Sequence, residues 1–141
     1  MAPEPIARTE LEGAADLEFV DALLDATERL SDEVPTLSAS DRMMFALAVC
    51  EIATNVAEHA TPRTPGEVRL RVELTIDDHT MQAVFVDTGH PAALDLAGVE
   101  MADDEDESGR GLAMVRATVD ELSHHPSGGN TWRILRRRRS E

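Results

Sequence analysis

Residues 45–60 read FALAVCEIATNVAEHA, and this stretch decides how the chain folds. Its apolar side chains and its alanines predict a buried helix, which we place over about residues 38–60. Within it, Glu51, Asn55 and His59 recur at intervals of four residues. Side chains four residues apart lie on one face of a helix, so the sequence predicts a polar stripe on a helix that is otherwise apolar.

The carboxylate in this stripe needs a partner. A carboxylate that is buried without one is strongly destabilising. A bound metal ion or a ligand hydroxyl would supply a partner for Glu51, and the amide oxygen of Asn55 suits a hard cation such as Mg²⁺. The alternative is structural: the amide is satisfied within the core, and His59 marks the end of the helix. The stripe alone leaves both interpretations open.

The composition bounds the class of protein. The chain has 141 residues, of which 42% are hydrophobic and 3% aromatic, and these values suit a single domain with an aliphatic core. The formal net charge is -15; such a charge repels nucleic acid and anionic membranes and favours basic protein partners. No apolar run approaches the roughly 20 residues that span a bilayer, and the amino terminus lacks a signal-peptide pattern. We therefore expect a cytoplasmic protein.

The residue types that are missing exclude several mechanisms. All 13 basic residues are arginine, whereas a Walker P-loop and a protein kinase of the eukaryotic type each need a lysine, as does Schiff-base chemistry. The single cysteine, Cys50, excludes an intrachain disulfide and a multi-cysteine metal site. The five histidines have no metal-ligand spacing. If the protein uses ATP, it must do so by another architecture.

Periodicity along the rest of the chain predicts the other elements. Residues 1–14 form a flexible terminus or an edge strand, and residues 15–31 have helical spacing. Strict alternation over Val68–Ile76 predicts a strand, and MQAVFVD returns beside it after a turn. GLAMVRATVDEL predicts a short helix that begins at a glycine pair, and ELSHH and TWRILR predict a closing hairpin.

This order of helices and hairpins indicates the architecture. Antiparallel pairs with interleaved helices are typical of an α+β two-layer sandwich. We expect a mixed, mainly antiparallel sheet with helices on one face. One domain covers residues 15–137, and residues 138–141, which include the end of a run of four arginines, form a basic tail. We interpret this tail as solvated, because the net charge opposes binding to nucleic acid.

Two further stretches carry residues that could bind a ligand. DTGHP at 87–91 places an aspartate at the end of an apolar strand, where a buried carboxylate needs a partner. The alternative is a turn in which Asp87 bonds its own backbone and Gly89 supplies a positive φ. SGRGL at 108–112 opens a helix, where glycines let backbone N–H groups approach an anion. The alternative is that these glycines only form a flexible break in the chain at the start of the helix.

Four stretches, taken together and in this order, resemble the ATP-binding fold of the Bergerat or GHKL superfamily. They are LAVCEIATNVAEHA at 47–60, VFVDTGHP at 84–91, ESGRGLAMV at 107–115 and GGNTWRI at 128–134. These resemble its N-box, its two glycine boxes and its closing strand. The resemblance covers about residues 15–137, and within the superfamily the chain is similar to the anti-sigma factor serine kinases. The lack of lysine agrees, because this fold has no P-loop.

The resemblance implies roles for residues of the N-box, the first glycine box and the closing strand. Glu51 would be the general base toward a protein serine, and Asn55 would hold a Mg²⁺ ion that bridges the ATP phosphates. Asp87 would accept the adenine amino group, Thr131 would support it through water, and Gly89 would give the base room.

The phosphate side of the site follows from the second glycine box. The resemblance implies an ATP lid over residues 90–108, and the residues that would bind the nucleotide after it are Gly109, Arg110, Gly111 and Leu112. The sequence departs from the family pattern in three places. HP follows the Asp-x-Gly motif, Asn130 stands between glycine and threonine in the closing strand, and five consecutive acids occupy residues 103–107. We predict that this acidic run stays away from the phosphates.

The function that the resemblance implies is that of an anti-sigma factor which phosphorylates a serine of an anti-anti-sigma protein of the STAS type, in a partner-switching system. ATP and Mg²⁺ are the implied cofactors. The implied partners are a sigma factor, the STAS-type protein and a second copy of the chain, in a homodimer. Direct binding to nucleic acid or to a membrane is not expected.

Three alternatives differ in class. A non-catalytic ATP-binding module would sequester a protein partner, but it would have no need of a base at Glu51. A sensor histidine kinase domain is disfavoured because no dimerisation helix with a phosphoacceptor histidine precedes the N-box. An adaptor that binds no nucleotide would require all four motifs to be coincidental.

Overall fold

The computed structural model describes residues 4–60, 62, 66–90, 107–126 and 128–139, with the backbone alone for residues 107–110. Within these ranges the chain forms five strands and three helices. In chain order they are β1 (Ala7–Ala14), α1 (Leu17–Asp32), α2 (Ala39–His59), β2 (Arg69–Ile76), β3 (Thr80–Asp87), α3 (Glu107–Thr118), β4 (Glu121–Pro126) and β5 (Asn130–Arg137). None of these helices is both long enough and apolar enough to span a membrane.

The elements predicted from periodicity are confirmed, but both boundaries of α3 are shifted. α3 begins at Glu107 and runs through the glycine pair, rather than starting at it, and it ends at Thr118 rather than at Leu122. A glycine within a helix costs about 1 kcal/mol relative to alanine but does not prevent helix formation. The amino terminus forms the edge strand β1, which was one of the two expected conformations.

The described strands form one sheet in the order β1-β2-β3-β5-β4. All pairings between them are antiparallel, in a sheet that was expected to be mixed but mainly antiparallel. Because β3 and β5 are neighbours, the ends of the VFVDTGHP and GGNTWRI motifs meet, and Asp87 pairs directly with Asn130. Side chains of directly paired residues lie on the same face of a sheet. The register therefore decides which polar residues can share a site.

One face of the sheet is buried against the helices. Inward-facing and outward-facing side chains alternate along β2, β3 and β5, as the pleat of a strand requires. Leu70, Leu74, Phe85 and Ile134 are fully buried, and they belong to one core cluster with Phe45 of α2. Burial of a side chain of this size contributes about 1.5–3 kcal/mol to the free energy of folding. The predicted α+β two-layer sandwich with helices on one face is confirmed.

Side-chain caps fix the starts of the two long helices. The carboxylate of Asp16 accepts a hydrogen bond from the backbone N–H of Phe19 at 2.8 Å, just before α1. The hydroxyl of Ser38 accepts one from the backbone N–H of Asp41 at 3.0 Å, which confirms the predicted start of α2. A cap of this kind stabilises a helix by about 1 kcal/mol.

The run of arginines near the end of the chain is part of the fold. The guanidinium of Arg136 donates to the buried carboxylate of Asp41 at 3.0 Å. Arg138 donates to a backbone carbonyl of the β2–β3 turn at 2.9 Å, and the backbone N–H of Arg139 donates to Asp41 at 2.7 Å. The solvated tail that was predicted over 138–141 therefore does not begin at residue 138.

Candidate functional site

The polar stripe on α2 meets α3 at Gly111. Glu51 is half-buried, and its carboxylate lies so near Gly111 that a Cβ added at that position would overlap Oε2. A residue with a side chain at this position would force the Glu51 carboxylate to move, so the glycine leaves room for that carboxylate beside α3. The stretches EIATN and SGRGL, which are far apart in sequence, are thereby brought together.

Asn55 lies one turn further along α2 and is also half-buried. Its side-chain nitrogen donates to the backbone carbonyl of Glu51 at 3.3 Å. With the nitrogen turned toward the helix backbone, the amide oxygen is the atom presented to a ligand. An amide oxygen is a suitable ligand for Mg²⁺, which takes most of its other ligands from water and phosphates. The described residues contain no group of three or more His, Cys, Asp or Glu side chains that could hold a metal ion, so Asn55 fits a shared site of this kind rather than an all-protein cage.

His59, the third member of the stripe, lies at the periphery. It is the last residue of α2, its side chain is exposed, and a ring nitrogen lies 3.8 Å from the carboxylate of Glu58. The interpretation of His59 as a helix-end residue is confirmed, because α2 does not continue beyond it.

α3 meets this face at Gly111, just after its first turn. Gly109 and Arg110 lie in that turn, and Leu112 is buried in the core just after it. The first N–H groups of a helix have no partner within the helix, and the helix dipole favours an anion beside them. The turn therefore suits a phosphate group. Residues 91–106 lie outside the described residues, and with them nearly all of the predicted lid and of the acidic run.

Asp87 ends β3 on the buried face of the sheet, the same side as α2. It is 3% exposed, and its Oδ1 accepts hydrogen bonds from the backbone N–H of Gly89 and from Nδ2 of Asn130, each at 2.9 Å. The indole Nε1 of Trp132 lies 3.4 Å from Oδ2. Each of these donors is electrically neutral. The hydrogen bond from Gly89 is the one expected if Asp87 only stabilises a turn. It is present here together with the hydrogen bonds from Asn130 and Trp132.

The positive φ at Gly89 that the structural alternative required is not observed. Among the described residues, the glycines with positive φ are Gly66, Gly128 and Gly129. Gly129 has a steric role beside the site, because a Cβ there would overlap the backbone carbonyl of Asp87. The turn between β4 and β5 thus depends on glycine at the point where β5 begins to pair with β3.

The residue that supports Asp87 is Asn130, not Thr131. The register pairs Asp87 with Asn130 and Val86 with Thr131, so Thr131 lies on the opposite face of the sheet. The expected support from Thr131 through water does not fit this placement. Asn130 stood out in the sequence only as a departure from the family pattern, and His124, whose Nε2 lies 2.7 Å from Asn130 Oδ1, gave no signal at all.

Comparisons with known proteins agree with the fold. The model of the family described as the histidine kinase-like ATPase domain matches residues 13–136. The crystal structure of the RsbU and RsbW domains of Rv1364c from Mycobacterium tuberculosis has a TM-score of 0.64 at 19% identity, over 99% of this chain and 34% of that chain. The histidine kinase domain of the blue-light activated histidine kinase from Erythrobacter litoralis EL346 has a TM-score of 0.53 at 16% identity, over 96% of this chain and 63% of that chain.

This chain therefore spans about a third of the first of these structures and less than two thirds of the second. At these identities the likeness concerns the fold. No curated protein matches the chain in sequence.

Proposed function

The chain belongs to the histidine kinase-like ATPase domain family, and on that premise we propose that it is an ATP-dependent protein serine kinase that also sequesters a sigma factor. Its protein substrate is a serine of an anti-anti-sigma protein of the STAS type. The four motifs that resemble those of anti-sigma factor serine kinases support this proposal, and so does the similarity in fold to a structure that contains an RsbW domain.

The position of Glu51 carries the proposal. Its carboxylate lies against Gly111, near the turn of α3 that suits a phosphate, and one helical turn from Asn55. A negative charge there opposes nucleotide binding, by about 1 kcal/mol for each solvated pair of charges at 4 Å. A module that only binds ATP gains nothing from such a residue. A kinase does, because a general base must lie within hydrogen-bond reach of the attacking hydroxyl.

Each of the other residues then has one task. Bound Mg–ATP supplies the phosphoryl group and the charge neutralisation that its transfer requires. Asn55 would hold the metal ion through its amide oxygen, and the first turn of α3 would bind phosphate oxygens. Asp87 accepts a hydrogen bond from the amino group of adenine. Glu51 takes the proton from the serine hydroxyl as the serine oxygen attacks the terminal phosphorus and ADP leaves.

The partner surface follows from charge. The chain has a net charge of -15, and the exposed side of α1 carries acids at successive turns, among them Glu18, Asp21 and Asp25. Such a surface suits the basic face of a DNA-binding protein and accelerates association at low salt. A cytoplasmic location and a homodimer complete the proposal.

The test is phosphotransfer from labelled ATP, with Mg²⁺, to a candidate STAS-type protein. Glu51→Gln should retain ATP binding and sigma-factor binding but lose phosphotransfer by about 10²–10⁴-fold, because loss of a general base acts on the rate and not on the ground state. Asn55→Ala should lose ATP binding as well, because it removes a metal ligand. Glu58→Gln is the matched control: Glu58 is exposed on the same helix and should have wild-type activity.

Each outcome points to one function. A Glu51→Gln protein that phosphorylates its partner at the wild-type rate would show that Glu51 is not the base. A wild-type protein that binds Mg–ATP and the sigma factor but transfers no phosphate to any STAS-type partner would establish the non-catalytic binding module instead.

A further inference from the structure

A chain of hydrogen bonds connects the edge strand β4 to Asp87. We propose that His124 and Asn130 are positioning residues that orient the Asp87 carboxylate toward the amino group of adenine. The proposal rests on the proposed function, which assigns adenine to Asp87. It adds two residues that the motif pattern does not assign, and it predicts how they affect the choice of base.

The donors and acceptors around Asn130 allow only one arrangement. Nδ2 of Asn130 lies 2.9 Å from Asp87 Oδ1 and 2.9 Å from the backbone carbonyl oxygen of His90. A carboxylate and a carbonyl can only accept, so the amide group that faces both must be the NH₂. The amide oxygen therefore faces Nε2 of His124, at 2.7 Å. Because that oxygen cannot donate, His124 must carry a proton on Nε2.

The imidazole of His124 is held in this orientation by packing. Its ring lies on the indole of Trp132, with 4.3 Å between ring centroids and 38° between planes. The indole N–H of Trp132 points in turn toward Asp87 Oδ2, at 3.4 Å. Two side chains that contact each other thus reach the same carboxylate, one directly and one through Asn130. Such a network restricts the rotation of the carboxylate more than one contact would.

The network leaves one carboxylate oxygen for a ligand. Oδ1 of Asp87 already accepts two hydrogen bonds at 2.9 Å, from Gly89 and Asn130. Oδ2 accepts only the longer contact at 3.4 Å from Trp132 among the described residues. The amino group of adenine is a donor, and Oδ2 has the capacity to accept from it. A base with an acceptor atom in the position of the amino group would place that acceptor against Oδ2, which is also an acceptor.

The first experiment compares two nucleotides by calorimetry at constant Mg²⁺. ATP has the 6-amino group, and purine riboside triphosphate lacks it. His124→Phe keeps a ring against Trp132 but removes the N–H donor. We expect its affinity for ATP to fall roughly five- to tenfold, as for the loss of one hydrogen bond, and its affinity for purine riboside triphosphate to change by less than about twofold.

Two matched variants complete this experiment. His124→Gln retains an N–H donor and should restore most of the affinity for ATP. His125→Phe alters the neighbouring histidine, which is exposed and pairs with Thr131, and so lies on the opposite face of the sheet. It should bind both nucleotides as the wild type does.

The second experiment needs no nucleotide. Nitrogen-15 NMR of the labelled histidines should show that Nε2 of His124 carries a proton, as its contact with Asn130 Oδ1 requires. A His124 ring protonated on Nδ1 alone would overturn the hydrogen-bond scheme, whatever the protein binds.

The remaining outcomes separate this proposal from the function on which it rests. If His124→Phe lowers the affinity for both nucleotides equally, the residue has a general structural role and the proposal fails. If the variant binds ATP as the wild type does, it fails as well, while the kinase assignment stands. If the wild-type protein binds no ATP, the proposed function fails first, and the positioning role fails with it.

Discussion

Asp41 and Asp87 are both buried carboxylates on the helix-covered side of the sheet, but their charges are satisfied in opposite ways. Asp41, which is 0% exposed, accepts from the Arg136 guanidinium at 3.0 Å and from the backbone N–H of Arg139 at 2.7 Å. Asp87, which is 3% exposed, accepts from a backbone amide, a side-chain amide and an indole, and from no cation among the described residues.

The difference separates a structural carboxylate from the one that we propose binds a ligand. A guanidinium cancels the charge of Asp41 within the protein, and Arg136 also donates to the backbone carbonyl of Thr118, so the ion pair ties α2, α3 and β5 together. Neutral donors hold the Asp87 carboxylate in place without cancelling its charge. That charge remains available to a donor on a ligand.

The largest expected effect comes from breaking the ion pair. Arg136→Met leaves the Asp41 carboxylate buried without its cation, and removal of one partner of a buried pair costs about 3–5 kcal/mol. Urea unfolding should show this loss in the free energy of unfolding. Arg137→Met is the matched control, because that neighbouring side chain is exposed; its effect should stay within about 0.5 kcal/mol. A loss below about 1 kcal/mol for Arg136→Met would mean that backbone donors alone satisfy Asp41.

The second prediction concerns Asp87, whose replacement should affect ligand binding more than stability. Asp87→Ala should abolish ATP binding measured by calorimetry with millimolar Mg²⁺, while the fold persists. The free energy of unfolding should fall by about 1–3 kcal/mol, because buried donors lose their acceptor. Asp78→Ala, at an exposed aspartate, is the control and should change neither quantity. ATP binding at wild-type strength by Asp87→Ala would show that the adenine assignment is wrong.

The contrast between these two aspartates also shows what the sequence can predict. Asp87 was identified because it ends an apolar strand within an ordered set of motifs, and Glu51 and Asn55 because they share one face of a helix. Such local patterns persist in the folded chain. They predicted the elements and the class of fold, and they picked out Glu51, Asn55 and Asp87 as candidate site residues.

The residues that escaped prediction depend on long-range placement. A shift of one residue in the pairing of β3 with β5 moves every side chain to the other face, and this is why Asn130 rather than Thr131 meets Asp87. Arg136 and Asp41 lie 95 residues apart in sequence, and no local pattern marks them as a pair. His124 comes from a strand that contacts Asp87 only through its neighbour.

A third carboxylate tests whether neutral donors alone are enough to make a binding site. Asp77 lies in the β2–β3 turn, is 9% exposed and, like Asp87, accepts from neutral groups. Its Oδ1 takes the backbone N–H groups of His79 and Thr80, each at 2.7 Å, and its Oδ2 takes the Thr80 hydroxyl at 3.0 Å. Both oxygens are occupied at short distances, whereas Asp87 has one oxygen with a single long contact. We therefore expect Asp77 to stabilise the turn and to bind no ligand.

The pH dependence of stability provides the measurement, with the smallest expected effect. Burial alone would raise the pKa of Asp77, but the hydrogen bonds from His79 and Thr80 outweigh it and hold the pKa below the usual value of 3.8. Because the folded pKa is the lower one, the stabilisation is fully present above the unfolded value and is lost as pH falls below 3.8 through the folded value.

Asp77→Asn should lower the free energy of unfolding at pH 7 by at most about 1.5 kcal/mol, the net contribution of one hydrogen bond, and should leave ATP binding unchanged. The difference from the wild type should shrink as pH falls below 3.8, since the wild-type carboxylate then becomes protonated. If the difference in the free energy of unfolding between Asp77→Asn and the wild type is constant with pH, the effect is due to packing. If Asp77→Asn loses ATP binding, then occupied carboxylate oxygens do not distinguish a structural aspartate such as Asp77 from Asp87.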